Sequence, residues 1–300
     1  MKNKRISGII AAIAAQVMFG FSFMFTKNAT GIASPIELLS WRFITAALLF
    51  LLLIKLGVFK VNFKGKDLKP ALILAFLHPI CYFLCENSGV SLTTASESGT
   101  IIAAIPIFTL VLAVIFLKSK PTRGQIFGIL IGIVGVLFTV LSQESKPTFN
   151  ALGYVLLFGA VIAYAFFGLF SEKTKLFDAV EKAVIMIFTG AVGFTLIAVI
   201  GTLLNGTFGE FIRLPFTSRE FLTAVLYLSI GSSIIAFSCN NYSIAALGMT
   251  ASATFSGITT IVSVLAGVIF LGESFTIWQI IGMLLIILGV FFANRAPREA

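Results

Sequence analysis

Long apolar runs separated by short polar segments fill this chain. Ten can be marked, at residues 8–25, 36–54, 70–87, 99–117, 125–141, 152–170, 183–204, 221–240, 251–271 and 277–293. At about 1.5 Å of rise per residue, each is long enough for a bilayer core of roughly 30 Å, so the pattern predicts ten transmembrane helices. Little chain remains between them, which excludes a catalytic or binding domain outside the membrane. The expected fold class is an all-α integral membrane protein.

A second pattern lies beneath the first. Phe83-Leu84-Cys85-Glu86-Asn87 returns as Phe237-Ser238-Cys239-Asn240-Asn241. At that offset of 154, residues 72–138 lie over 226–292 without a gap, and 22 of the 67 pairs are identical. Apolar bias inflates such a count. It does not explain Ser98/Ser252, Thr100/Thr254, Gln125/Gln279, Gly128/Gly282 or Gly135/Gly289. The chain therefore reads as a duplication, with residues 1–146 carrying helices one to five and 147–300 helices six to ten. An odd number of helices per half inserts the second half upside down relative to the first. Inverted halves of this kind suit alternating access about a midplane site.

Composition agrees with the runs: 58% of residues are hydrophobic, 11% are charged and mean hydropathy is +1.07. Soluble domains carry about a quarter charged residues. The net charge of +9 is a matter of topology, not of nucleic-acid binding. Sixteen Lys and Arg residues fall on the side of the termini, whereas Lys27, Lys146, Arg213 and Arg219 fall on the other. That bias predicts a multi-pass protein of the cytoplasmic membrane with both termini in the cytoplasm. The first run is longer than a signal-peptide core, so it reads as an uncleaved helix. All three cysteines lie within runs and offer no disulfide framework.

Polar side chains inside spans are costly, so each asks for a reason. His78, Tyr82 and Glu86 follow at i+4 steps along one face of the third helix. Their repeat partners on the eighth are Ser232, Ala236 and Asn240, with Ser229 and Ser233 nearby. If the halves enclose a cavity, these faces line it, joined by Gln16 and Phe23 of the first helix, Tyr164 of the sixth and Ser256 of the ninth. Glu86 and His78 are the candidates for proton coupling. Solvation at the membrane surface is the alternative for Glu86, and interhelical hydrogen bonding for His78. Glu97 reads as solvated near the membrane surface, and Arg42 as snorkelling to the interface beside Trp41. The repeated Asn87 and Asn241 read as helix caps shared by the architecture. Gly128 and Gly282, with Gly124, Gly132, Gly135 and Gly289, read as close helix packing within one chain, a dimer seam being the alternative.

Each half carries short motifs of its own in a set order. The first half has Arg42-Phe43, Thr93-Thr94-Ala95-Ser96, Pro106-Ile107-Phe108-Thr109 and Phe116-Leu117; the second has Asn241-Tyr242, Leu247-Gly248, Phe270-Leu271-Gly272-Glu273 and Gln279-Ile280-Ile281-Gly282. Over essentially its whole length the chain resembles the drug/metabolite transporter superfamily, in its EamA-like branch of ten-helix permeases. The pattern departs at Lys118-Ser119, where Gly-Glu is usual, and at Thr260, the repeat partner of Pro106. The resemblance implies a pathway surrounded by the first, third, fourth, sixth, eighth and ninth helices. It also implies secondary transport of a small organic solute, namely export of an amino acid or related metabolite. Efflux of multiple drugs or cationic compounds, or metabolite uptake, is the alternative.

No Walker-A sequence is present, so ATP does not drive transport directly. Metal transport through His78, Cys81 and Cys85 and an intramembrane enzyme are further readings. The second lacks His-Glu-x-x-His and Gly-x-Ser-x-Gly patterns. No cofactor, resident metal or nucleic-acid partner is expected. The partners are the solute and the bilayer, and the functional unit is a monomer, with a dimer as the alternative.

Overall fold

The computed structural model describes residues 2–59, 61–118, 120–141, 149–170, 177–248, 252 and 255–293. Among them there is no strand. Among the described residues, eight helices are long and apolar enough to cross a membrane: Arg5–Thr30, Pro35–Lys55, Lys69–Leu92, Ala95–Phe116, Arg123–Leu141, Ala151–Phe170, Val180–Leu204 and Arg219–Leu247. Two shorter apolar helices follow, Ser256–Leu271 and Ile277–Ala293. They are numbered first to tenth below.

Local chemistry explains several boundaries. Ser34 and Glu37 form a capping box at the second helix, Thr94 and Glu97 at the fourth, and Asp178 and Glu181 at the seventh. In each, the cap side chain accepts from the third helical N–H, and the glutamate accepts from the cap's own N–H. The fourth helix ends at Lys118 with φ 51°, and its repeat partner Gly272 ends the ninth with φ 65°. The left-handed stop is thus kept in both halves although only one has glycine, at a cost of about 1–2 kcal/mol for the lysine. The departure at Lys118 leaves the backbone symmetric.

Helix pairing is unchanged when the halves are exchanged. The third packs on the sixth as the eighth packs on the first, and the first packs on the ninth as the sixth packs on the fourth. The second pairs with the seventh, the fourth with the ninth and the fifth with the tenth. The fifth–tenth seam needs small residues: a Cβ on Gly128 would lie 2.5 Å from the Ala293 nitrogen and 2.6 Å from the Gly289 carbonyl. These glycines are occupied by packing within the chain, as expected of Gly128 and Gly282. The main core cluster draws Phe43 and Phe83 from the first half and Phe167, Phe194 and Phe237 from the second.

Two features depart from ten plain helices. The third contains a wide π-type turn at Phe76–Cys81, in which His78 leaves the helix (φ −142°, ψ 106°) before Pro79. The eighth has a longer π segment at Tyr227–Ala236, over the repeat-equivalent residues. An additional short helix, Phe208–Thr217, precedes the eighth; it buries Phe211 and Pro215 and leaves Ile212 and Phe216 exposed. Its ten residues are too few for a span, so no long apolar run marks it.

Candidate solute-binding cavity

A cavity of about 250 Å³ lies between the two halves. A cavity of about 150 Å³ is known to take up benzene, and in proportion this one holds roughly ten non-hydrogen atoms. Its wall includes Gln16, Phe23, His78, Tyr82, Glu86, Tyr164, Asn240 and Ser256, eight of the nine residues expected from the helical faces. Ser233 is the exception. Its hydroxyl accepts from Arg42 Nε at 2.9 Å, and its neighbour Ser232 stands in the wall instead.

The break in the third helix sets the character of the cavity. By leaving the helix at His78, the chain places the imidazole within 4.9–5.4 Å (ring centroids) of Tyr82, Phe83, Tyr164, Phe167 and Phe237. The residue is only 5% exposed, and among the described residues its Nδ1 has no hydrogen-bond partner. One turn beyond Tyr82, Glu86 is 3% exposed and accepts a hydrogen bond from Asn87 Nδ2. On other sides, Gln16 accepts from Thr259 Oγ1 at 2.6 Å, and Asn240 Nδ2 points to the Tyr164 hydroxyl at 3.5 Å. Among the described residues, the buried Ser256 hydroxyl has no partner. The wall is thus an aromatic box with one carboxylate and several unused polar atoms.

Three expectations are corrected. Arg42 does not snorkel: it is 1% exposed, donates to Ser232 and Ser233 at 2.9 Å each, and stacks over the Phe83 ring at 4.3 Å. The Ser229 hydroxyl also donates to its backbone carbonyl. Hydroxyls from the eighth helix and an aromatic face replace its water, so the guanidinium has no need of the interface. Glu97 is not solvated but 7% exposed, closed by its capping box and by Gln279 Nε2 at 3.1 Å. Asn87 and Asn241 do not cap helix ends; both lie inside helical segments, at Tyr82–Leu92 and Phe237–Leu247. Asn87 instead serves Glu86, which its repeated identity alone could not reveal.

Among the described residues, no three His, Cys, Asp or Glu side chains converge as a metal site, and Cys81, Cys85 and Cys239 are free thiols.

The structure is that of a helical membrane protein with a cavity between two exchange-symmetric halves. The chain belongs to the EamA-like transporter family, whose model matches residues 6–141 and again 151–295. It is 31% identical to "Uncharacterized transporter YcxC" of Bacillus subtilis (strain 168), over 98% of this chain and 95% of that protein. An uncharacterized transporter of Archaeoglobus fulgidus is 26% identical over 94% of this chain and 97% of its own. A solved crystal structure, described only as that of a protein, shares the fold with a TM-score of 0.66 at 15% identity, covering 96% of this chain and 98% of its own.

Proposed function

We propose that this membrane transporter is a secondary carrier of a small amphipathic solute, an amino acid or related metabolite, moved by alternating access of residues 1–146 against 147–300. The observation that carries this reading is a buried carboxylate, Glu86, in the wall of an aromatic-lined cavity of about 250 Å³. A carboxylate in low dielectric attracts an ammonium group, and the rings offer apolar and cation–π contact. The unpartnered His78 Nδ1 and Ser256 hydroxyl are available to a carboxylate or amide on the same solute. Phosphate esters fit less well, because Arg42 is already committed to Ser232 and Ser233.

Export across the cytoplasmic membrane, with the termini inside and one chain as the working unit, completes the proposal. Glu86 and His78 are the groups through which a proton would be coupled. Cation efflux is the second reading, favoured by the five rings around His78.

Counterflow in proteoliposomes tests the proposal. Labelled zwitterionic amino acids should exchange, and Glu86→Gln should cut exchange by roughly ten-fold or more, as expected when a desolvated charge contact is lost. Exchange of quaternary amines alone would select the cation reading. Absence of counterflow across both solute classes would defeat the carrier reading, and indifference to Glu86→Gln would remove the carboxylate from it.

A further inference from the structure

One end of the bundle is closed by a contact between the halves that has no acidic counterpart in the repeat. Glu273 follows the ninth helix and reaches the first turn of the fourth. Its Oε1 accepts from the Ala95 N–H at 2.7 Å; its Oε2 accepts from the Ser96 N–H at 2.9 Å and the Ser96 hydroxyl at 2.6 Å. The first N–H groups of a helix have no partner within the helix and carry its positive dipole end. A carboxylate there is both acceptor and counter-charge.

The same end gathers further ties. Lys27 of the first helix donates to the carbonyls of Val90, Ser91 and Thr93 where the third helix ends. Gln279 of the tenth donates to Glu97 of the fourth. The ends of five helices from both halves are therefore joined.

The cavity runs the other way. Its wall continues to Ala113, Gln125, Ile244, Ser252 and Ala293, residues near the opposite ends of their helices, where the tenth finishes and the fifth begins. The offset of 154 places Ser119 over Glu273, so the first repeat carries no carboxylate at that position of its sequence.

We propose that Glu273 is the latch of this gate: a cap supplied by one half to the other, which must come off for the cavity to open at the closed end. Its absence from the first repeat biases the resting protein toward the state open at the end bearing the termini. The word gate rests on the carrier reading, but the contact and its release can be measured without any solute.

The test is thiol accessibility in oriented membrane vesicles. In a variant with Cys81, Cys85 and Cys239 replaced by Ala, Ser22→Cys places a reporter in the cavity wall. A membrane-impermeant maleimide is applied from the face opposite the termini. The latched parent should label slowly. Glu273→Ala should label roughly ten-fold faster, the shift expected when charge-assisted hydrogen bonds favouring one of two states are lost. Ser96→Ala, which removes only the hydroxyl bond, should give a smaller rise. Ser119→Glu should slow labelling from the face of the termini.

An unchanged far-face rate in folded Glu273→Ala overturns the proposal. So does an equal rise from both faces, which would mean general loosening. If Glu273→Ala does not reach the membrane folded, Glu273→Gln decides by the same two criteria. Failure of the carrier reading would show separately, as absent counterflow with the labelling pattern intact.

Discussion

Arg42 shows how little a single position reveals outside its partners. In the sequence it is an arginine near a span end beside a tryptophan, and snorkelling is the economical reading. Its actual partners, Ser232 and Ser233, lie 190 and 191 residues away. Only the fold brings them together. The His78, Tyr82 and Glu86 face was legible because i+4 spacing on one helix needs no tertiary knowledge. Glu97 is opaque in the sequence for the same reason as Arg42, its partner Gln279 being 182 residues on.

The planar fork of Arg42 makes two hydrogen bonds and a ring contact at once. Arg42→Met, which leaves two buried hydroxyls and removes the charge facing the cavity side of the eighth helix, should cost about 2–4 kcal/mol. Arg42→Lys should recover less than half of that, because an ammonium on a flexible stem cannot span both serines over an aromatic face. Unfolding of purified protein in detergent, followed by thiol exposure at the free cysteines, checks both. Equal stability of the lysine variant and the parent would contradict the account.

At the scale of elements, apolar runs located the helices because length and hydropathy are all that a span requires. They could not locate the π-type turn in the third helix. Pro79 hinted at a break, but which neighbour leaves the helix depends on the ring cluster that receives His78. The short helix Phe208–Thr217 escaped because ten residues are too few for a span; Trp41 Nε1 donates to its Phe211 carbonyl. The fifth and tenth helices were the better case, since repeated glycines announced a close seam.

That seam makes a paired prediction. Gly128→Leu forces side-chain atoms against the tenth-helix backbone, and overpacking of this kind costs about 1–3 kcal/mol. Gly201, on the seventh helix, would meet nothing within 4 Å, so Gly201→Ala should be neutral or stabilising by up to about 1 kcal/mol. Thermal unfolding of the two variants in the same detergent should shift in opposite directions or differ by several degrees. Identical midpoints would mean that the seam tolerates separation.

At the scale of the molecule, duplication was readable in the sequence, and the exchange-symmetric pairing of helices follows it. The location of the core was not readable. Phe43, Phe83, Phe167, Phe194 and Phe237 come from both halves and share one cluster, so neither half owns a core. Residues 1–146 expressed alone should be degraded, and so should 147–300. Expressed together as separate chains, they should assemble and co-purify, because the shared cluster is built by helices of both halves. A stable, monodisperse first half would refute this view of the fold.

The bond between Arg42 and the serines of the eighth helix also has a meaning in time. Synthesis proceeds at about 5–20 residues per second, so roughly 10–40 s separate the emergence of Arg42 from that of Ser232 and Ser233. Through that interval the second helix resides in the membrane with a guanidinium that none of its eventual hydroxyl partners can reach, a burden that insertion scales put at about 2.5–3.5 kcal/mol for a helix centre and lower toward its ends. The nascent first half is therefore at its most vulnerable before the second half arrives. A quality-control protease that senses unpaired charge within the bilayer would find its signal in Arg42 and lose it when the eighth helix docks.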